Sequence, residues 1–201
     1  MKVLLLLATL VVAGCAEPGT QVASPAEPAA PGDAAAAPPE PASVDSMPPE
    51  MDGEPPAYTT AATRADVTST GPDAPILHAV RTAGHDGFDR IVFEFDSVGL
   101  PQWDVSYVAA PIIQCGSGHG MPVEGTAWLQ VRFSGANAHT EAGEGTSGPM
   151  RRTPGLAAVR ELVRTCDFEA EVTWVAGLAG KAGYRTQVLA DPARLVVDVA
   201  H

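Results

Sequence analysis

The sequence predicts an all-β chain: an antiparallel β-sandwich of about seven or eight strands, preceded by a signal peptide and a disordered tether. Three observations carry this. Beyond about Asp73, apolar and polar residues alternate with a period of two in short runs, the mark of strands with one buried face. Gly, Pro and Asp, which favour turns, separate those runs. Residues 16–72, by contrast, hold 12 of the chain's 19 prolines, with alanines and acids and almost no large apolar residue. Such a composition cannot bury enough surface to offset chain entropy.

The N-terminus opens with Met1-Lys2, followed by an apolar run from Val3 to Ala13. That run is shorter than the roughly 20 residues needed to span a bilayer and fits the apolar region of a secretory signal. It ends in Val12-Ala13-Gly14-Cys15, which resembles the lipobox of bacterial lipoproteins. The resemblance implies cleavage before Cys15 and acylation of its sulfur with palmitate-type chains. Two or three such chains, at about 0.8 kcal/mol per buried CH₂, make a stable anchor. The expected organisation is a signal peptide over 1–14, lipidated Cys15 and a linker over 15–72, and a β-domain over 73–201. The expected location is the cell envelope, with the domain facing the periplasm or exterior.

The linker is acidic as well as proline-rich. Residues 16–72 carry nine acids against Arg64 alone, within a chain of net charge −12. Its reach runs from roughly 40 Å as a coil to roughly 170 Å fully extended. No basic cluster appears in the sequence, which argues against nucleic acid as a partner.

The strands follow in order. "PILHAVRT" is the first and least regular. In "RIVFEFD", Ile91, Phe93 and Phe95 share one face; in "WDVSYVA", Trp103, Val105 and Tyr107 do. "AWLQVRF" sets Ala127, Leu129, Val131 and Phe133 opposite Trp128, Gln130 and Arg132. "EVTWVAG" sets Val172 and Trp174 opposite Glu171 and Thr173, and "YRTQVL" and "RLVVDVA" complete the set. Asp86-Gly87 and Asp191-Pro192 supply turns. "TPGLAAVRELVRTC" is ambiguous: Leu156, Val159, Leu162 and Val163 approach helical spacing, so a short helix or an irregular strand is expected there.

"GHDGFDRIVFEFD", "PGLAAVRELV", "DFEAEVTWVAGL" and "YRTQVLADPARLVVDV" together resemble the AMIN-like domain of bacterial lipoproteins. The likeness covers most of 73–201. It implies a β-sandwich related to the AMIN domain of periplasmic amidases and secretin-associated proteins, one that localises proteins in the envelope by binding peptidoglycan. It brings no catalytic residues with it.

Candidate sites are few. Cys115 and Cys166 are the two thiols left once Cys15 is acylated; export favours a disulfide between them, and two separate buried thiols are the alternative. "GEGTSG" at 143–148 fits a dinucleotide motif by letter, but no strand leads into it and Pro149 follows, so a flexible loop and no cofactor are expected. Ser117 and His119 in "CGSGHG" lack the nucleophile-elbow spacing. His85, His119 and His139 with Asp86, Glu141 and Glu144 match no metal signature. Asp86 and Asp89 are too few oxygens for Ca²⁺, so "GHDGFDR" is read as a hairpin turn with an Arg90 ion pair. Trp103 and Trp174 lie on apolar faces and belong to the core. Trp128 lies on a polar face and is the candidate ligand-binding aromatic.

Two functions compete at this level. One is a non-catalytic envelope lipoprotein whose β-domain binds peptidoglycan or an envelope protein. The other is a small hydrolase or metal-dependent enzyme using the loops at 115–148.

Overall fold

A computed structural model describes residues 55–71 and 73–201. The expected signal peptide, Cys15 and most of the expected linker lie outside the described residues. The strands are β1 (Thr63–Ala65), β2 (Leu77–His85), β3 (Phe88–Phe95), β4 (Gln102–Val108) and β5 (Ala127–Ser134). They continue with β6 (Arg151–Arg152), β7 (Val159–Phe168), β8 (Glu171–Leu178), β9 (Tyr184–Leu189) and β10 (Arg194–Ala200). They form a six-stranded sheet in the order β1-β4-β5-β8-β7-β6 and a four-stranded sheet in the order β2-β3-β10-β9. Every strand pairing is antiparallel.

The alternation read in the sequence decides which side chains fill the space between the sheets. Ile91, Phe93, Phe95, Leu195, Val197 and Val199 from the smaller sheet join Val105, Leu129, Val131, Phe133, Val172 and Trp174 from the larger in one cluster. Phe133 meets Phe93 and Phe95 edge-on, with ring centroids 5.3 and 4.9 Å apart, a favoured aromatic geometry. Trp103 and Trp174 are both buried there.

Three features differ from the sequence reading or sharpen it. The strand count is ten, because β1 and β6 are only three and two residues long. The ambiguous segment is the strand β7, with register shifts between Val159 and Glu161 and between Arg164 and Cys166. A bulge adds one residue on one strand. It lets Val159 and Leu162 face the same core three positions apart, which imitates a helical spacing.

The folded unit also begins before Asp73. Thr59 exchanges backbone hydrogen bonds of 2.8 Å with Tyr184, and β1 pairs with β4 from Thr63↔Val105 to Ala65↔Trp103. The Thr68 and Ser69 amides both donate to the Leu100 carbonyl at 2.8 Å. The Tyr184 hydroxyl lies 2.7 Å from the carbonyl oxygens of both Ala61 and Val105. This strap is Thr-rich and lacks an apolar alternation, so it reads as linker although it completes the sheet edge.

The β2–β3 turn uses Asp86-Gly87, with Gly87 at φ 81°, a conformation glycine adopts without steric cost. Arg90 pairs across the sheet with Asp198, at 2.7 and 2.9 Å. Donation to the Asp198 carboxylate raises the Arg90 pKa against the opposing effect of burial. Asp89 points the other way, into the core.

Candidate binding groove

The 18-residue connection between Val108 and Ala127 builds the most distinctive surface. Most of the outer face of the larger sheet is polar, with Asp104, Ser106, Gln130, Arg132 and Thr173. Val163 and Val175 break that pattern, and both are buried. The connection folds back over them: Ile112 and Val123 join Val163 and Val175 in a second cluster, with Val108, Met121 and Trp128 packed against it. Covering these valines removes apolar surface from water, which is what holds the connection down.

Its outgoing and returning limbs form a small hairpin. Ile113 bridges Gly120, and the Met121 amide donates to the Ile112 carbonyl at 2.7 Å. At the tip, the Cys115 amide donates to the Thr165 carbonyl at 3.1 Å. Cys115 and Cys166 are joined as a disulfide, with Cα atoms 5.1 Å apart.

The return limb is pinned by charge. Glu161, buried in β7, accepts from the Glu124 amide at 2.7 Å and pairs with Arg151. Arg151 in turn donates to the Pro122 carbonyl at 3.0 Å. The Trp128 indole Nε1 donates to the Val123 carbonyl at 3.1 Å.

Gly177 of β8 permits this close approach, because a β-carbon there would collide with the carbonyl oxygen of Glu124. Gly177→Ala should therefore lift the return limb and cost about 2–3 kcal/mol in urea unfolding, the scale of an overpacked site. A red shift of Trp128 emission should accompany it. Unchanged stability and emission would show that this contact does not hold the limb.

Between the limbs and Trp128 lies an open groove of about 360 Å³, lined chiefly by Pro111, Ile112, Met121, Pro122, Val123 and Trp128. No lining side chain is ionisable. A second cavity of about 330 Å³ is lined by the disulfide with Gln114, Met150, Arg164 and Phe168.

Trp128 thus stands neither wholly exposed nor in the main core: it is half-buried at the groove and supports the second cluster. The other candidates scatter. His139 Nδ1 lies 2.8 Å from Asp167 Oδ1, while His85 stacks on Phe88 with centroids 4.7 Å apart. Among the described residues, no three His, Cys, Asp or Glu side chains group as metal ligands. Ser117 Oγ donates to Gln114 at 3.2 Å within the hairpin tip.

The glycine-rich loop is more firmly tied than its composition implies. Thr146 donates through Oγ1 to the Leu77 carbonyl at 2.7 Å. Ser147 beside it is buried.

Sequence reasoning missed Ile112, Met121, Pro122, Val123 and Gly177. The only available signal was two apolar stretches, "APII" and "MPV", flanking the Gly-rich tip. Neither has a strand period.

Two antiparallel sheets closed face to face on one aromatic core, with a groove on an outer face, define a β-sandwich domain. A family model described as "AMIN-like domain" matches residues 75–201, and the chain belongs to that family. The family is one of envelope-related binding modules. No match is found among curated proteins or solved structures.

Proposed function

We propose that this chain is a non-catalytic module of the cell envelope, held to a membrane by lipidated Cys15, that binds peptidoglycan through the Trp128 groove. The groove carries this reading. The indole donor is already engaged by Val123, so Trp128 offers ring carbon to a ligand. Sugar faces stack on such a surface. The methyls of N-acetyl, lactyl and alanyl groups match the apolar walls. The Pro/Ala/Glu-rich segment acts as the spacer between membrane and wall.

The test is sedimentation with purified peptidoglycan, using the chain from Ala16 onward. Wild type is expected to pellet with weak salt dependence, since no charged group lines the groove. Trp128→Ala should weaken binding by roughly 1–2 kcal/mol, the scale of an interface contact. It also removes part of the second cluster, so Pro122→Ser, at an exposed lining residue outside that cluster, serves as the partner variant. That change should weaken pelleting while leaving the unfolding midpoint nearly in place. A chain that stays in the supernatant at every salt concentration excludes wall binding and leaves an envelope protein as the partner. For the anchor, mass spectrometry of membrane-fraction protein should find acylated Cys15; an unmodified N-terminal peptide there refutes it.

A further inference from the structure

Each sheet ends in two edge strands, β1 and β6 in the larger, β2 and β9 in the smaller. An open edge invites pairing with another chain, so folded proteins keep edges short, covered, or interrupted by proline, lysine or a bulge. Three of these edges follow that rule. β1 and β6 are three and two residues long. Along β2, the Leu77 amide donates to the Asn137 carbonyl at 2.7 Å, the Val80 carbonyl accepts from Arg152, and Leu156 lies against Gly84. β9 breaks the rule. It has six residues, "YRTQVL", with neither proline nor lysine, in unbroken register with β10.

Tyr184 exchanges its outward N–H and C=O with Thr59. Backbone groups of an antiparallel strand alternate sides, so those of Thr186 and Val188 point outward too. Among the described residues nothing bonds to them. The strap does not cover them: continued in the register of Thr59, it would set Pro55 opposite Val188, and proline has no N–H to give. The open stretch is Thr186–Leu189, because Tyr58 already stands beside Arg185. Its side chains define what fits. Val188 is 48 % exposed, on the core-facing side opposite Leu195. On the outer face, Arg185 donates through Nε to Asp198 at 3.0 Å, and Arg90 shares that carboxylate. Two guanidiniums on one carboxylate leave a positive charge beside the edge. The Arg185 Nη groups have no acceptor among the described residues. At the far end, Arg194 and Asp191 carry one charge of each sign.

We propose that the β9 edge takes an extended acidic segment of a partner protein as an added strand. A β-branched residue of that segment lies against Val188. A Glu or Asp at the next position, opposite Gln187 and diagonal to Arg185, reaches the free guanidinium donors. This goes beyond the Trp128 groove, which lies on the other sheet. Main-chain bonds to Thr186 and Val188 supply the affinity, and the alternate side chains supply the selectivity. A second copy of β9 does not fit, since its six residues overrun the open stretch and meet Tyr58.

The experiment uses the nitrogen-15-labelled chain from Ala16 onward and the end-blocked peptide Thr-Val-Glu-Val-Thr, with Thr-Val-Lys-Val-Thr as control. The Glu peptide should shift the Thr186 and Val188 amide resonances saturably and slow hydrogen exchange at both. The Lys peptide should bind roughly three-fold or more weakly. Val188→Pro deletes an outward N–H at an edge position, where proline is tolerated. It should weaken binding roughly ten-fold or more while leaving the unfolding midpoint nearly in place. Arg185→Gln should erase the preference for Glu over Lys. No shift at Thr186 and Val188, or binding that survives Val188→Pro unchanged, overturns the proposal. Equal affinity for the two peptides overturns the choice of an acidic partner. Protection of both amides before any peptide is added also overturns it: the edge is then filled by the chain itself, or by a second copy if protection grows with protein concentration.

Discussion

Asp89→Ala is expected to destabilise the domain by about 3–5 kcal/mol, read as a fall in the urea midpoint. Asp89 is 1 % exposed. Its Oδ2 accepts from the backbone amides of Ala158 at 2.6 Å and Val159 at 2.9 Å, and His201 Nε2 lies 3.4 Å from Oδ1. Hydrogen bonds to a charged acceptor are worth about 1.5–3 kcal/mol each, and a buried amide left without a partner costs about 1–3. Alanine orphans both amides at once. Asp89→Asn keeps an oxygen where both amides converge, so its cost should be about 1–2 kcal/mol. The residue sits on β3 and its partners open β7, so the carboxylate clasps the two sheets together. Equal losses for alanine and asparagine would show that the site responds to charge alone, and a loss under 1 kcal/mol for alanine would show that the clasp is not holding the sheets.

Removing the Cys115–Cys166 bond is the second large effect. The cysteines are 51 residues apart in sequence, and closing a loop of that length stabilises by about 4 kcal/mol in the chain-entropy model, commonly less in practice. Cys115→Ala/Cys166→Ala, or reduction of wild type, is expected to lower unfolding free energy by about 2–4 kcal/mol. The hairpin tip should become the first part to exchange its amides. Thiol labelling of unreduced protein checks the premise: no free thiol is expected, and two would exclude the bond.

How much of this was legible depended on whether a local period survived. Strands β3, β4 and β5 keep their register and bury chiefly one face, so alternation in the sequence mapped directly onto the core; β8 and β10 are buried on both faces, and there the alternation marks only which residues meet the main core. β7 was blurred because the bulge between Val159 and Glu161 changes the spacing between Val159 and Leu162 from two to three. The strap at 59–69 was hidden for a different reason. Its contribution is backbone hydrogen bonding to Leu100, Tyr184 and β4, and backbone bonds leave no mark on residue choice. Trp128 was found because an aromatic stood on a polar face. The groove around it was not, since its other walls come from a connection whose apolar residues follow no period and answer only to Val163 and Val175. Asp89 looked like part of a turn; nothing local reveals that its partners lie about 70 positions downstream.

The strap has a mechanical meaning. Any pull applied through the residues before Pro55 enters the folded unit at Thr59. The first bonds to bear it are the two with Tyr184, on the smaller sheet. The load then passes to Ala61, held near the Tyr184 hydroxyl, and next to β1, whose three residues pair with β4 on the larger sheet. A pull along this path meets these contacts in chain order, and contacts loaded in turn would open one at a time. Such a strap would act as a fuse: strain would first lengthen the chain by about a dozen residues, ahead of the sandwich and its groove.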